Sequence, residues 1–197
     1  EKSVEALEAG ADFVYHDLYI VPSSSKKLKR IKSRQVLTPV FRDLLINGPT
    51  ICNSSVVVRR DLMEKIGGFS EDKQLVAAED YEAWLRVSEL VDTFVRLPHC
   101  LGYYTLGANN LSSAAHTITY VYKILELYGN EITQESGGMP GWINYSLASS
   151  FYKKELFKKS KLHASRTIVK SGSLSLKMRS IVILILILLR STFQNHR

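Results

Sequence analysis

Apolar residues follow two periods in the first part of this chain and only one in the rest. Residues 12–21 (D-F-V-Y-H-D-L-Y-I-V) are crowded with β-branched and aromatic side chains and predict a strand. Residues 50–59 predict another, and residues 93–106 read as strands interrupted at Pro98, which has no N–H to give a ladder. Helical stretches fall between them. Glu1 to Ala9 ends at Gly10, where a C-terminal cap glycine belongs. A short helix runs from Thr38-Pro39 through Leu45, with Pro39 at the first helical position and Asn47-Gly48-Pro49 as its stop. Residues 61–66 form a helical turn, and in residues 79–90 Tyr81, Trp84 and Leu85, followed by Val91, lie close to one stripe. Residues 23–34 and 70–78 are polar and predict loops.

From Ser113 onward only the helical period remains, over about residues 115–129, 142–157, 159–171 and 174–193. The clearest linker is Glu135 to Gly141, E-S-G-G-M-P-G. Strands mixed with helices, followed by helices alone, predict an α/β domain with an all-α extension.

Charge divides the chain in the same sense. Residues 1–152 hold 15 Lys/Arg against 18 Asp/Glu, a net of −3, whereas residues 153–197 hold 11 against Glu155 alone, a net of +10. The overall +7 therefore belongs to the tail, and such asymmetry points to an anionic surface as partner. The tail contains nine consecutive apolar residues, Ile181 to Leu189, flanked by Arg179 and Arg190. A bilayer span needs about 20. Two readings remain: a helix lying on an anionic leaflet, or a final core helix packed on its predecessors.

Composition adds little more. At 45% apolar, with ten tyrosines and seven phenylalanines, 197 residues can bury a real core. Cys52 and Cys100 show no metal-ligand spacing and read as small apolar residues of a reducing compartment. No signal-peptide pattern opens the sequence. Glu1 stands where helix is already predicted, as in a fragment that begins inside an element.

The densest chemistry lies between Asn53 and Arg86. Val56 to Val58 leads into a helical turn, then into Gly67-Gly68-Phe69, then into the acidic pair Glu79-Asp80 opening an amphipathic helix. Glycines permit positive φ and close backbone approach, and a carboxylate can take a proton from a hydroxyl. Acidic residues in a first helical turn also oppose the macrodipole, so the pair has a structural reading as well. Asp17, in Tyr15-His16-Asp17, is a strand carboxylate, and one His with one Asp makes no metal site.

This ordered set, with Arg59-Arg60 ahead of it, resembles the acceptor-side half of family 2 glycosyltransferases of the GT-A fold, a Rossmann-like α/β architecture. The resemblance covers about residues 1–113, as the C-terminal half of such a domain, and leaves residues 114–197 as the helical extension. It implies Asp80 as catalytic base, with Glu79 orienting it or the acceptor. It implies Gly67, Gly68, Phe69, Asn53 and Trp84 as acceptor-binding, although Trp84 also reads as core. Asn109 and Asn110 are implied as cofactor-binding, within Tyr103-Tyr104-Thr105-Leu106-Gly107-Ala108-Asn109-Asn110. There the chain departs from its relatives, which often carry Arg and His in place of Thr105 and Gly107. That leaves any diphosphate contact to His116 or His99.

The implied activity is sugar transfer from a nucleotide-sugar to a glycan or lipid-linked acceptor, in cell-surface polysaccharide synthesis, at the cytoplasmic, inner face of a membrane. A divalent cation, Mg or Mn, is implied, with ligands mostly outside this chain because no Asp-x-Asp occurs in the early sequence. The donor-binding half is likewise unrecognisable here, so the strand at 12–21 is expected to lack neighbours. Residues 145–169 look like a degenerate tetratricopeptide-type hairpin, which some of these transferases carry. The rival is a non-enzymatic, helix-rich module docking on an anionic membrane or nucleic acid. The tail has no Gly-rich or stacking-platform pattern, so nucleic acid is not the expected partner.

Overall fold

A computed structural model describes residues 1–21, 29–105 and 113–194, the last three by their backbone alone. The protein is mixed α/β, with a four-stranded sheet and eight α-helices among the described residues. Its chain divides into two compact units. The first takes in Glu1–Leu45, Pro49–Asp72 and Ala78–Leu111, and the second Ile46–Gly48, Lys73–Ala77 and Ser112–Arg197.

In the first unit, α1 (Lys2–Glu8) leads into β1 (Phe13–Val21), the strand on which everything else is hung. Residues Phe13 to Leu18 are buried without interruption, so both faces of β1 are covered, which is why its apolar run shows no alternation. β1 pairs in parallel with β4 (Phe94–Thr105) along its whole length. It pairs antiparallel with β3 (Val56–Val58) near its start and with β2 (Lys29–Ile31) near its end. Since β4 fills one edge, β3 and β2 share the other. The expectation that this strand would lack neighbours is thus corrected: it is the best-paired strand of the sheet.

Two other expectations change. Pro98 does not split β4. Register runs from His16 with Leu97 to Asp17 with Cys100 and then Leu18 with Gly102, so Pro98 and its neighbours are accommodated as a bulge. The second predicted strand shrinks to Val56–Val58. Asn53–Ser55 form a 3-10 turn instead, because Ser55 directs both its N–H (2.9 Å) and its hydroxyl (2.7 Å) to the Cys52 carbonyl.

Helices α2 (Val40–Asn47), which belongs to this unit as far as Leu45, α3 (Arg60–Lys65) and α4 (Glu79–Ser88) complete the unit's elements. Its centre is aromatic. Phe13 meets Phe94 and Trp84 edge to face, with ring centroids 4.1 and 4.8 Å apart. The hydroxyl of Tyr81 donates to the Leu44 carbonyl at 2.9 Å, fixing α4 against α2.

The second unit holds α5 (Ala114–Ser136), α6 (Gly141–Lys153), α7 (Phe157–Lys170) and α8 (Leu174–Gln194). α5 continues a further two turns beyond the predicted end, through a break at Tyr128 (φ −126°), and stops at left-handed Gly137. Ser160 Oγ donates to the Ala148 carbonyl at 2.8 Å, and His163 Nδ1 lies 3.1 Å from Asn144 Oδ1. The later α7 residue meets the earlier α6 residue, so the two helices run antiparallel. At the near end Gly141 sits so close to Ser171 that a Cβ there would lie 2.4 Å from its Oγ, and only glycine fits.

Candidate active site around Asp80

Asp80 occupies the second position of α4. The residue ahead of the helix, Ala78, offers no capping side chain, and Ala77 before it takes a left-handed φ of 70°. Such a conformation costs an alanine about 1–2 kcal/mol. The orphan N–H groups of the first turn therefore look elsewhere. The Tyr81 N–H donates to Asp80 Oδ1 at 2.7 Å, and the Asn53 N–H, at the head of the 3-10 turn, also donates to this carboxylate. The structure thus brings Asn53 and Asp80 together across 27 positions of sequence.

Electrostatics at this point is set by burial. Desolvation pushes the Asp80 carboxyl above the ordinary carboxylate value, and the charge of neighbouring Glu79 pushes the same way, against the backbone N–H groups that favour the anion. Glu79 itself has a buried Oε2 with no hydrogen-bond partner. Cys52 belongs here too. Burial raises its thiol first, and the Asp80 charge adds to the shift. Read from sequence as a small apolar residue, Cys52 is the chain neighbour of Asn53. Both cysteines are free and partly buried.

Gly67 and Gly68 close α3 with φ of 74° and 76°, and a Cβ built on either would meet nothing within 4 Å. The Gly68 N–H returns to the Met63 carbonyl at 2.8 Å, as a helix cap does. Arg86 of α4 holds this turn. It donates to the Ile66 carbonyl and, at 2.9 Å, to the Gly68 carbonyl, while its Nε binds Glu82 at 2.7 Å. The i, i+4 spacing of Glu82 and Arg86 was visible in the sequence, but their grip on the glycine turn was not.

Phe69 is 42% exposed and rests edge-on against Trp84, with centroids 5.7 Å apart. Trp84 is only 2% exposed and packs between Phe69 and Phe13. That corrects its place among the acceptor-facing residues: its indole is core, and Phe69 is the aromatic surface. Arg59 also proves structural, binding the carbonyls of Leu7 at 2.7 Å and Ala11 at 3.2 Å to tie α1 down. Asn109 and Asn110 lie outside the described residues.

Asp17 is held by arginines. It is fully buried at the β4 bulge, where Arg30, Arg96 and the Ser33 N–H (2.9 Å) all donate to it. Burial alone would raise its carboxyl, but these bonds, Arg30's first, outweigh it and hold the group below the ordinary value. Among the described residues no group of three or more His, Cys, Asp or Glu side chains could hold a metal ion.

What the Asp80 cluster can do chemically is accept a proton from a hydroxyl. A half-buried carboxylate whose proton affinity is raised, beside a second carboxylate, has the character of a general base. Compared with known protein families, curated proteins and solved structures, the chain matches none.

Proposed function

We propose that this chain is the acceptor side of a family 2 glycosyltransferase of the GT-A type, with the donor-binding half on polypeptide outside these 197 residues. The observation that carries the reading is the Asp80 carboxylate, raised by burial and by Glu79 and tethered by backbone N–H groups, those of Tyr81 and Asn53 among them. In this reading Asp80 removes the proton from the acceptor hydroxyl as the sugar leaves its nucleotide. Glu79 orients that base or the acceptor, and the Asn53 N–H sets the base. The Gly67-Gly68 turn, held by Arg86, presents Phe69 as one wall for the acceptor. The nucleotide-sugar donor and a glycan or lipid-linked acceptor are the implied substrates, at the cytoplasmic face of a membrane. No helix among the described residues is long and apolar enough to cross one.

The test is transfer by the polypeptide that carries both halves. Asp80→Asn should lower the rate by about 100-fold or more, the scale of a lost general base, and Glu79→Gln should mainly weaken acceptor use. A rate for Asp80→Asn above a tenth of wild type removes Asp80 from this role. The 197 residues alone should bind neither UDP- nor GDP-sugars with Mn²⁺ in calorimetric titration, because a mononucleotide-binding half is missing from the proposed arrangement. Micromolar binding would overturn the placement of the chain within the fold.

A further inference from the structure

Helix α8 is apolar on two faces, one packed inward and the other exposed. Ile183, 8% exposed, joins Ala148 and Ala164 in a small core, with Leu184 and Ile187 packed against it. The opposite side carries Met178, Ile181, Val182, Ile185, Leu186 and Leu189, each 37–55% exposed. At 100° per residue these six side chains span an arc of roughly 140°, and between residues 178 and 189 no polar residue falls inside it. Arg179 and Arg190 border the arc on one side and Lys177 on the other. An isolated surface helix in water has no reason to present such a stripe.

We propose that this outward face of α8 is a docking surface for an anionic lipid membrane, with the helix lying in the plane of the interface. Charge selects the occupant. Residues 153–197 carry a net of +10, so a second copy of the same face would meet its own charge, whereas anionic headgroups complement it. Glu155, the one acidic residue of the segment, is bound to Arg190 at 2.9 Å. Packing fixes the orientation. The inner face of α8 is held by α6 and α7, whose Lys153, Lys158, Lys159 and Lys161 are exposed, and a transmembrane placement would carry those lysines into hydrocarbon. Lying flat, the stripe enters the acyl boundary while the bordering cations stay among the headgroups. The inference rests on the second unit alone and stands whether or not Asp80 is a base.

The experiment is vesicle sedimentation of the whole chain, with no donor or acceptor present. Vesicles of phosphatidylcholine with phosphatidylglycerol should take the protein down, pure phosphatidylcholine should not, and added salt should weaken the binding. The double substitution Ile185→Glu with Leu189→Glu should cut binding at least about tenfold with an unchanged melting curve, since both side chains point away from the core. Should that variant unfold, Val182→Ser with Ile185→Ser is the milder replacement. Absence of binding to the anionic vesicles, or equal binding by the folded variants, overturns the proposal. So does a dimer in sedimentation velocity that these substitutions dissociate, which would make a second copy the occupant.

Discussion

Asp17 and Asp80 are carboxylates of the same compact unit, both withdrawn from water, and their surroundings move them in opposite directions. Asp17 has two guanidinium groups and a backbone N–H, and is held below its ordinary value. Asp80 has backbone N–H groups and a second carboxylate beside it, and is raised. Burial pushes both upward, so the partners decide the sign. A carboxylate whose two oxygens are engaged by arginines and a backbone N–H is fixed as structure, whereas one that is merely tethered keeps capacity to take a proton. The difference separates a structural aspartate from a candidate base better than burial does.

The comparison is broken most severely at Asp17. Asp17→Ala should lose about 3–5 kcal/mol in urea unfolding, because it strands Arg96, whose side chain is 12% exposed, without its counter-ion. A loss under about 1 kcal/mol would mean that solvent compensates the arginines and that Asp17 does not fix the bulge.

Glu82, two residues after Asp80, is an intermediate case: buried, and bound by Arg86. Arg86→Met should cost about 2 kcal/mol, the combined loss of charge-assisted bonds to Glu82 and to the carbonyls of Ile66 and Gly68. Hydrogen exchange at Gly67 and Gly68 should quicken with it. Unchanged exchange there would release the glycine turn from Arg86's control.

The smallest effect carries the opposite sign. Asp80→Asn should leave stability within about 1 kcal/mol of wild type, and on the stabilising side near neutral pH. Because the folded carboxyl titrates above the unfolded one, Asp80 favours the fold only while protonated. That contribution is complete below the unfolded value near 4 and is lost as pH rises through the raised folded value. The gap between variant and wild type should therefore open above about pH 4 and close below it. Asp17 gives the mirror image. Its contribution is present above the unfolded value and lost as pH falls through its lowered folded value, so Asp17→Ala should flatten the acid limb of the stability curve. A variant of Asp80 that is destabilised at neutral pH would contradict the direction assigned here.

Periodicity by itself determined where β1, α4 and the run of helices beyond Ser113 lie, because apolar spacing is a local property and those segments are long. It also marked Glu79-Asp80 and Gly67-Gly68, since a helix start and a helix stop are written in a few adjacent residues. Only tertiary structure decided the rest. The short strand Lys29–Ile31 sits inside a stretch that reads as loop, and it pairs with β1 beside the Arg30–Asp17 contact, 13 positions away in sequence. Pro98 reads as a break but is absorbed by a bulge that needs β1 opposite it. Asn53 reaches Asp80, and Arg86 reaches the glycine turn, only after the chain has folded back. The apolar run in α8 was ambiguous for the same reason: sequence counts apolar residues around a helix, while packing against α6 and α7 chooses which of them are left facing outward.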